Sequence, residues 1–72
     1  MTYKVVGVKI RTWEARNMHN LTLEDMEILT GISKSTLNNI ENGKVSPTMH
    51  QMERIAKALD MKISDLYESE YK

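Results

Sequence analysis

The sequence predicts an all-α fold: one compact domain built from five helices. Three observations favour this class. The chain has 72 residues, it contains only three glycines and one proline, and its apolar residues recur at helical spacing in successive segments. A chain of this length has apolar surface for one core, so we expect residues 1–72 to form a single domain.

Composition and charge exclude several functional classes. Ten basic residues balance ten acidic ones, so any surface that binds nucleic acid must be a local face rather than the whole molecule. The absence of cysteine excludes disulfides and thiolate zinc sites. No apolar run approaches the roughly 18 residues of a membrane span. We therefore expect a cytoplasmic protein with no membrane association.

The first predicted helix covers roughly Val6 to Met18. Val6, Ile10 and Trp13 are spaced by four and three residues, which places them on one face. Trp13 is expected to be a core anchor there. The polar segment 17–21 interrupts the pattern before the next helix.

The second predicted helix begins after Thr22, whose hydroxyl can accept a free backbone N–H of the first turn. Asp25, three residues later, completes a capping box, although its side chain is shorter than the usual Glu or Gln. Gly31 ends the helix, because glycine adopts the required positive φ without steric cost. The expected buried stripe consists of Leu23, Met26 and Leu29.

The third predicted helix, Lys34 to Asn42, is capped by Ser33 and closed by Gly43. Only Ile32 separates the end of the second helix from this cap. Two short helices joined so tightly must cross at a steep angle, which is the signature of a helix-turn-helix over about residues 22–42.

Two further helices complete the expected architecture. Thr48 and Gln51 form a capping box for the fourth helix, which Asp60 ends. Its expected apolar face is Met49, Met52, Ile55, Ala56 and Leu59. Ser64 caps a short fifth helix from Asp65 to about Glu68, with Ile63, Leu66 and Tyr67 inward and a frayed end beyond. The methionine stripe is interpreted as core filling: Met18, Met26, Met49, Met52 and Met61.

The outer face of the third helix is the candidate functional surface. At 100° per residue Leu37 and Ile40 point toward the core, and so does Glu41, the only acid on the helix. The opposite side carries Ser35, Asn39 and Asn42, with Asn38 on one flank and Lys34 beside the tip. Asparagine can pair with adenine and lysine with guanine in the major groove. Helices that are merely solvated more often carry Glu, Lys or Gln, which form helices better.

Four segments resemble the XRE family of phage repressors and Cro proteins: Thr-Gly-Ile-Ser at 30–33, Ile-Glu-Asn-Gly-Lys at 40–44, Ser-Pro-Thr at 46–48 and Ile-Ala-Lys-Ala-Leu at 55–59. The match extends from Leu21 to Tyr67. It implies a five-helix lambda-repressor-like domain that places its third helix in the major groove of double-stranded DNA.

The resemblance also implies roles for individual residues. The implied base contacts are Lys34, Ser35, Thr36, Asn38 and Asn39. The implied phosphate contacts are Thr22, Leu23, Asn42, Gly43 and Lys44, those at the start of the second helix acting through backbone N–H groups. Arg16 is expected to pair with Glu41; the alternative is a solvated arginine. Two residues depart from the family pattern: Leu23 stands where Gln is usual, and Glu27 stands where a small Ala is usual.

These observations favour a sequence-specific transcriptional regulator, a homodimeric repressor with no cofactor. The alternative is a protein-interaction or antitoxin-like subunit on the same scaffold, favoured by the neutral charge, Leu23 and the acidic second helix. The two copies of a homodimer could contact each other through Tyr67 and Tyr71, or these two residues could belong to a frayed tail. No nucleophile–base set indicates an enzyme, and His19 and His50 fall short of a metal set.

Overall fold

The fold is described for residues 7–72 in a computed structural model. A short strand, four α-helices, a 3₁₀ helix and a second strand follow one another along these residues. In chain order they are β1 (Lys9–Ile10), α1 (Thr12–Met18), α2 (Leu23–Thr30), α3 (Lys34–Glu41), α4 (Met49–Leu59), the 3₁₀ helix (Ile63–Leu66) and β2 (Tyr67–Glu68).

The ends of α2, α3 and α4 confirm the predicted caps. Thr22 and Thr48 each accept the backbone N–H three residues on, at 3.0 and 3.1 Å, and each capping box is closed by the side chain at that position. Ser33 accepts the N–H of Thr36 at 3.2 Å. Gly31 ends α2 with φ at 73°, the left-handed conformation for which glycine was expected.

The prediction for the first helix is wrong at its start. α1 begins at Thr12, and Lys9–Ile10 forms a strand that pairs antiparallel with Tyr67–Glu68. The N–H of Arg11 donates to the carbonyl of Leu66 at 2.7 Å, which ties the strand to the end of the 3₁₀ helix. Helical spacing near the N-terminus could not reveal a partner more than 50 residues away. Val6 lies outside the described residues.

The predicted fifth helix is likewise replaced. A 3₁₀ helix over Ile63–Leu66 stands where a helix from Asp65 to about Glu68 is expected, and Tyr67–Glu68 forms a strand rather than the end of that helix. Residues 7–72 therefore contain four α-helices instead of five, and an all-α class with a minimal ribbon describes them. Lys9–Ile10 and Tyr67–Glu68 become strands because they pair with each other, and neither segment would form a strand alone.

The core lies between the helices and under the 3₁₀ helix. α2 packs on both α3 and α4, and α1 packs against the same two helices. The buried apolar side chains are Ala15, Met26, Ile32, Leu37, Ile40, Met52, Ile55, Ala56, Leu59 and Leu66. This arrangement leaves the side of α3 opposite Leu37 and Ile40 uncovered by the described chain.

Several apolar residues predicted to be buried are exposed. Trp13 is 53% exposed, because Thr12 and Ala15 are the residues of α1 that face the core. Leu29, Met18 and Met49 are also exposed. Of the predicted methionine stripe, Met26 and Met52 are buried and Met61 is partly buried. None of the helices in residues 7–72 has the length and apolar character needed to traverse a bilayer.

Candidate nucleic-acid interface

The outer face of α3 carries small polar groups. Leu37 and Ile40 are 4% and 1% exposed and hold the helix against the core. On the other side Ser35 and Asn38 are exposed and Asn39 is half-buried. The projection from the sequence is confirmed for the inward Leu37 and Ile40 and the outward Ser35, whereas Asn39, expected to point outward, is partly covered.

Lys34, the first residue of α3, is held by a carboxylate of α2. Its Nζ lies 2.5 Å from Oε2 of Glu24, and about half of each side chain remains exposed. The hydrogen bond between them raises the pKa of Lys34 and lowers the pKa of Glu24. The predicted base-contacting lysine therefore comes with an acidic neighbour.

Glu27 meets the same end of α3. Its Oε2 accepts the backbone N–H of Lys34 at 3.1 Å, which satisfies one of the free donors of the first turn. At the crossing of α2 and α3 this exposed side chain reaches outward rather than into the core. The sequence by itself predicts no contact of Glu24 or Glu27 with Lys34. The sequence did contain a signal for the Glu27 contact, because Glu27 occupies a position of the resemblance where a small Ala is usual.

The first turn of α3 contains a linked pair of hydroxyls. Oγ of Ser33 donates to Oγ1 of Thr36 at 2.9 Å and accepts the N–H of Thr36. Thr36 is half-buried. Because its oxygen serves here as an acceptor, its own O–H stays available to an outside acceptor.

The other end of α3 opens into a loop of exposed donors. Nδ2 of Asn42 donates to Oδ1 of Asn38 at 3.3 Å, which joins the two amides along one side of the helix. Gly43 follows with φ at 72°, and the N–H of Lys44 donates to the carbonyl of Asn39 at 2.9 Å. The Lys44 side chain is exposed. Asn42, Gly43 and Lys44 are thus adjacent to the outer face of α3.

Two of the backbone N–H groups at the start of α2 are already hydrogen-bonded within the chain. The N–H of Thr22 donates to Oδ2 of Asp25 at 2.9 Å, and the Thr22 hydroxyl accepts the N–H of Asp25. These bonds lower the pKa of Asp25. Leu23 is partly buried and packs against the core. A phosphate at this end would have to compete with the Asp25 carboxylate for the Thr22 N–H.

Arg16 and Glu41 form the predicted pair. Nε and Nη2 of Arg16 donate to the two carboxylate oxygens of Glu41 at 2.7 and 3.0 Å, and Nη1 donates to the carbonyl of Leu21 at 2.9 Å. Both side chains are largely buried. The bond to Glu41 raises the pKa of Arg16, against the opposing effect of burial. The pair fixes the end of α3 to α1 and keeps the only acid of α3 away from its outer face.

The family profile of the helix-turn-helix matches residues 14–66. The chain belongs to the helix-turn-helix family. This match contains α2, α3 and α4 and the Arg16–Glu41 pair, and it confirms the resemblance to the XRE type. Both strands of the ribbon, β1 and β2, lie outside the matched residues.

Two archaeal relatives share the domain. An uncharacterized HTH-type transcriptional regulator of Methanocaldococcus jannaschii is 40% identical over 52 residues, covering 72% of this chain and 79% of the relative. An uncharacterized HTH-type transcriptional regulator of Archaeoglobus fulgidus is 28% identical over 60 residues, covering 83% and 84%. The similarity thus extends over most of each protein.

Proposed function

We propose that this chain is a sequence-specific DNA-binding transcriptional regulator that reads the major groove with α3, acts as a homodimer and represses transcription. One observation carries the proposal: α3 exposes amides and hydroxyls while its only acid, Glu41, is turned inward and neutralised by Arg16. Family membership and the names of both relatives support a DNA-binding regulator. The repressor role rests on the resemblance to phage repressors.

The side chains of α3 provide complementary chemistry for base edges. Asn39 and Asn38 can each present a donor and an acceptor to adenine, and Lys34 can donate to guanine. Ser35 and Thr36 add hydroxyls that bind bases or phosphates. The N-terminal part of a recognition helix lies closest to the bases, which favours the first six residues of α3 for this role.

Phosphates would be held at the two ends of this surface. Asn42, the backbone of Gly43 and the exposed Lys44 form one end, and the backbone of Thr22 and Leu23 forms the other. These positions contribute few cations. A single copy would therefore bind weakly, and two copies on one site would double the contacts.

An apolar groove beside the ribbon suits a second copy of this chain. It has a volume of about 340 Å³ and is lined by uncharged residues: Val8, Ile10, Ser46, Pro47, Met49, Met52 and Tyr67. A two-fold interface places like residues together, so an uncharged lining pairs with itself without repulsion. Val8 and Ile10 also line a second depression together with Asn42 and Gly43, which lie at the C-terminal end of α3. The groove thus favours Tyr67, rather than the exposed Tyr71, as part of the dimer contact.

Selection from a random DNA pool tests the reading of sequence. We expect the wild-type protein to enrich two half-sites related by pseudo-two-fold symmetry, about one helical turn apart. Asn39→Ala should lose about fivefold or more in discrimination at one base pair of each half-site, because a bidentate contact is removed. Asn17→Ala, an exposed asparagine on α1, is the matched control and should retain the preference. An unenriched pool would overturn the proposal.

Sedimentation of the wild-type protein and of Met49→Asp tests the dimer. Met49 is exposed on the groove, so the substitution should leave folding intact while placing two like charges at the interface. We expect the variant to be monomeric and to show a shallower dependence of DNA affinity on salt. Equal dimerisation of both proteins would exclude this face. A reporter with the selected site across its promoter then tests repression.

A protein-interaction subunit is the second candidate, and one surface favours it. Ile28 and Leu29 are 81% and 55% exposed on α2. Leu29 lines a depression with Arg54 and Lys57, neither of which forms an ion pair among residues 7–72. This surface suits a partner with both carboxylates and apolar side chains. Binding of an acidic amphipathic peptide, abolished by Leu29→Asp, together with an unenriched DNA pool would favour this candidate.

A further inference from the structure

We propose that Glu24 is a specificity-determining residue that acts with Lys34, so that the two side chains together read one G·C base pair. The inference rests on the proposed function and concerns α2, a helix from which the resemblance implies backbone contacts alone. Its basis is the ion pair between Glu24 and Lys34 at the tip of α3, with a separation of 2.5 Å.

The pair keeps binding capacity after its own bond is made. The ammonium group of Lys34 has three donors, of which Glu24 uses one. The carboxylate of Glu24 retains further lone pairs, and both side chains are about half exposed. The tip of α3 therefore presents adjacent donors and acceptors to the outside.

The order of these groups matches one base-pair edge better than the others. In the major groove a G·C pair offers two neighbouring acceptors, N7 and O6 of guanine, and then the amino donor of cytosine. Two donors of Lys34 can meet the acceptors while Glu24 accepts the cytosine amino group. An A·T pair places its amino donor between two acceptors, so the ammonium would face a donor.

The surrounding groups direct this tip to bases rather than to phosphates. Glu27 already accepts the backbone N–H of Lys34, so that donor of the first turn is occupied by a carboxylate. Glu24 and Glu27 also bring negative charge to the tip and repel the phosphate backbone. Lys34 is consequently held where a base edge can use it, at a cost in affinity for DNA of any sequence.

The experiment compares Glu24→Gln with wild type on the selected operator and its single-base-pair variants, by fluorescence anisotropy across a range of salt concentrations. Lys34→Gln identifies the relevant base pair as the one at which it reduces discrimination. Glu14→Gln is the matched control, since it removes a carboxylate from another ion pair, Arg11–Glu14, outside the helix-turn-helix. Circular dichroism verifies that each variant is folded.

We expect the wild-type protein to prefer G·C at that position by about tenfold, within the range of a good base contact. Glu24→Gln should reduce this preference to about twofold or less. It should also bind non-specific DNA more tightly, and the salt slope should steepen by about 0.9 if freed Lys34 neutralises one phosphate. Glu14→Gln should change none of these values. A merely structural role for Glu24 would leave the size of the G·C preference unchanged.

The outcomes separate the two proposals. If the wild-type protein selects a site but Glu24→Gln keeps the wild-type preference of about tenfold for G·C, the role of Glu24 is excluded and the regulator stands. The same conclusion follows if the position sensitive to Lys34→Gln is not G·C. If the wild-type protein selects no sequence, both proposals fail.

Discussion

Removal of the Glu41 carboxylate should destabilise the whole domain. In Glu41→Ala the guanidinium of Arg16 loses both donor contacts to the carboxylate and keeps the one to the carbonyl of Leu21. The side chains of Arg16 and Glu41 are only 13% and 6% exposed, so water can replace little of what is lost. The variant therefore leaves a buried charge without its counter-ion.

The size of the effect follows from this burial. Loss of one partner from a buried ion pair costs about 3–5 kcal/mol. A domain of 72 residues is stabilised by roughly 4–11 kcal/mol in total. With an m-value of about 1 kcal/mol per M, the urea midpoint should fall by about 3–5 M. The melting temperature should fall by 12 °C or more, at about 4 °C per kcal/mol.

Urea unfolding followed by circular dichroism and by the fluorescence of Trp13 measures the change. Glu14→Ala is the control, because it removes the same type of side chain from the Arg11–Glu14 pair, in which both partners are about 40% exposed. An exposed pair contributes about 0–1 kcal/mol, so this variant should unfold near the wild-type midpoint. The two substitutions thus differ chiefly in burial.

Equal midpoint shifts for Glu41→Ala and Glu14→Ala would refute the reasoning. A double variant, Arg16→Met with Glu41→Leu, provides a second check. It removes both charges and fills the space with apolar groups, so it should recover most of the lost stability. Failure to recover would mean that the pair contributes more than the neutralisation of its own charges.

Three further predictions concern stability. The ion pair with Lys34 lowers the pKa of Glu24, so ionised Glu24 stabilises the folded state above the ordinary pKa of 4.5. This stabilisation is lost as the pH falls through the lower pKa of the folded state. The urea midpoint should therefore decline below about pH 4.5, and it should decline less in Glu24→Gln. Thr48→Ala should cost about 1 kcal/mol in urea unfolding, because it removes the hydroxyl of a complete capping box; an unchanged midpoint would contradict the capping role. Leu66→Ala should cost about 2–5 kcal/mol in thermal unfolding because Leu66 is fully buried, whereas Trp13→Ala should cost less; the reverse order would contradict the observed core.

The candidate surface was largely predictable from the sequence because it depends on one regular helix. The Ser33 cap and the inward positions of Leu37 and Ile40 define which side of α3 is exposed. The acidic environment of Lys34 was not predictable in the same way. Glu24 and Glu27 contact Lys34 only because α2 and α3 cross at a particular angle, and that angle is a property of the packing.

Local sequence alone determined where α2, α3 and α4 begin, at the caps Thr22, Ser33 and Thr48, and where α2 ends, at the left-handed Gly31. Such signals act over three or four residues, through hydrogen bonds and φ values that need no distant partner. Tertiary structure alone decided that Lys9–Ile10 would be a strand and that Trp13 would remain exposed. Both outcomes depend on which surfaces meet, since a strand needs its ladder partner and burial needs an opposing face.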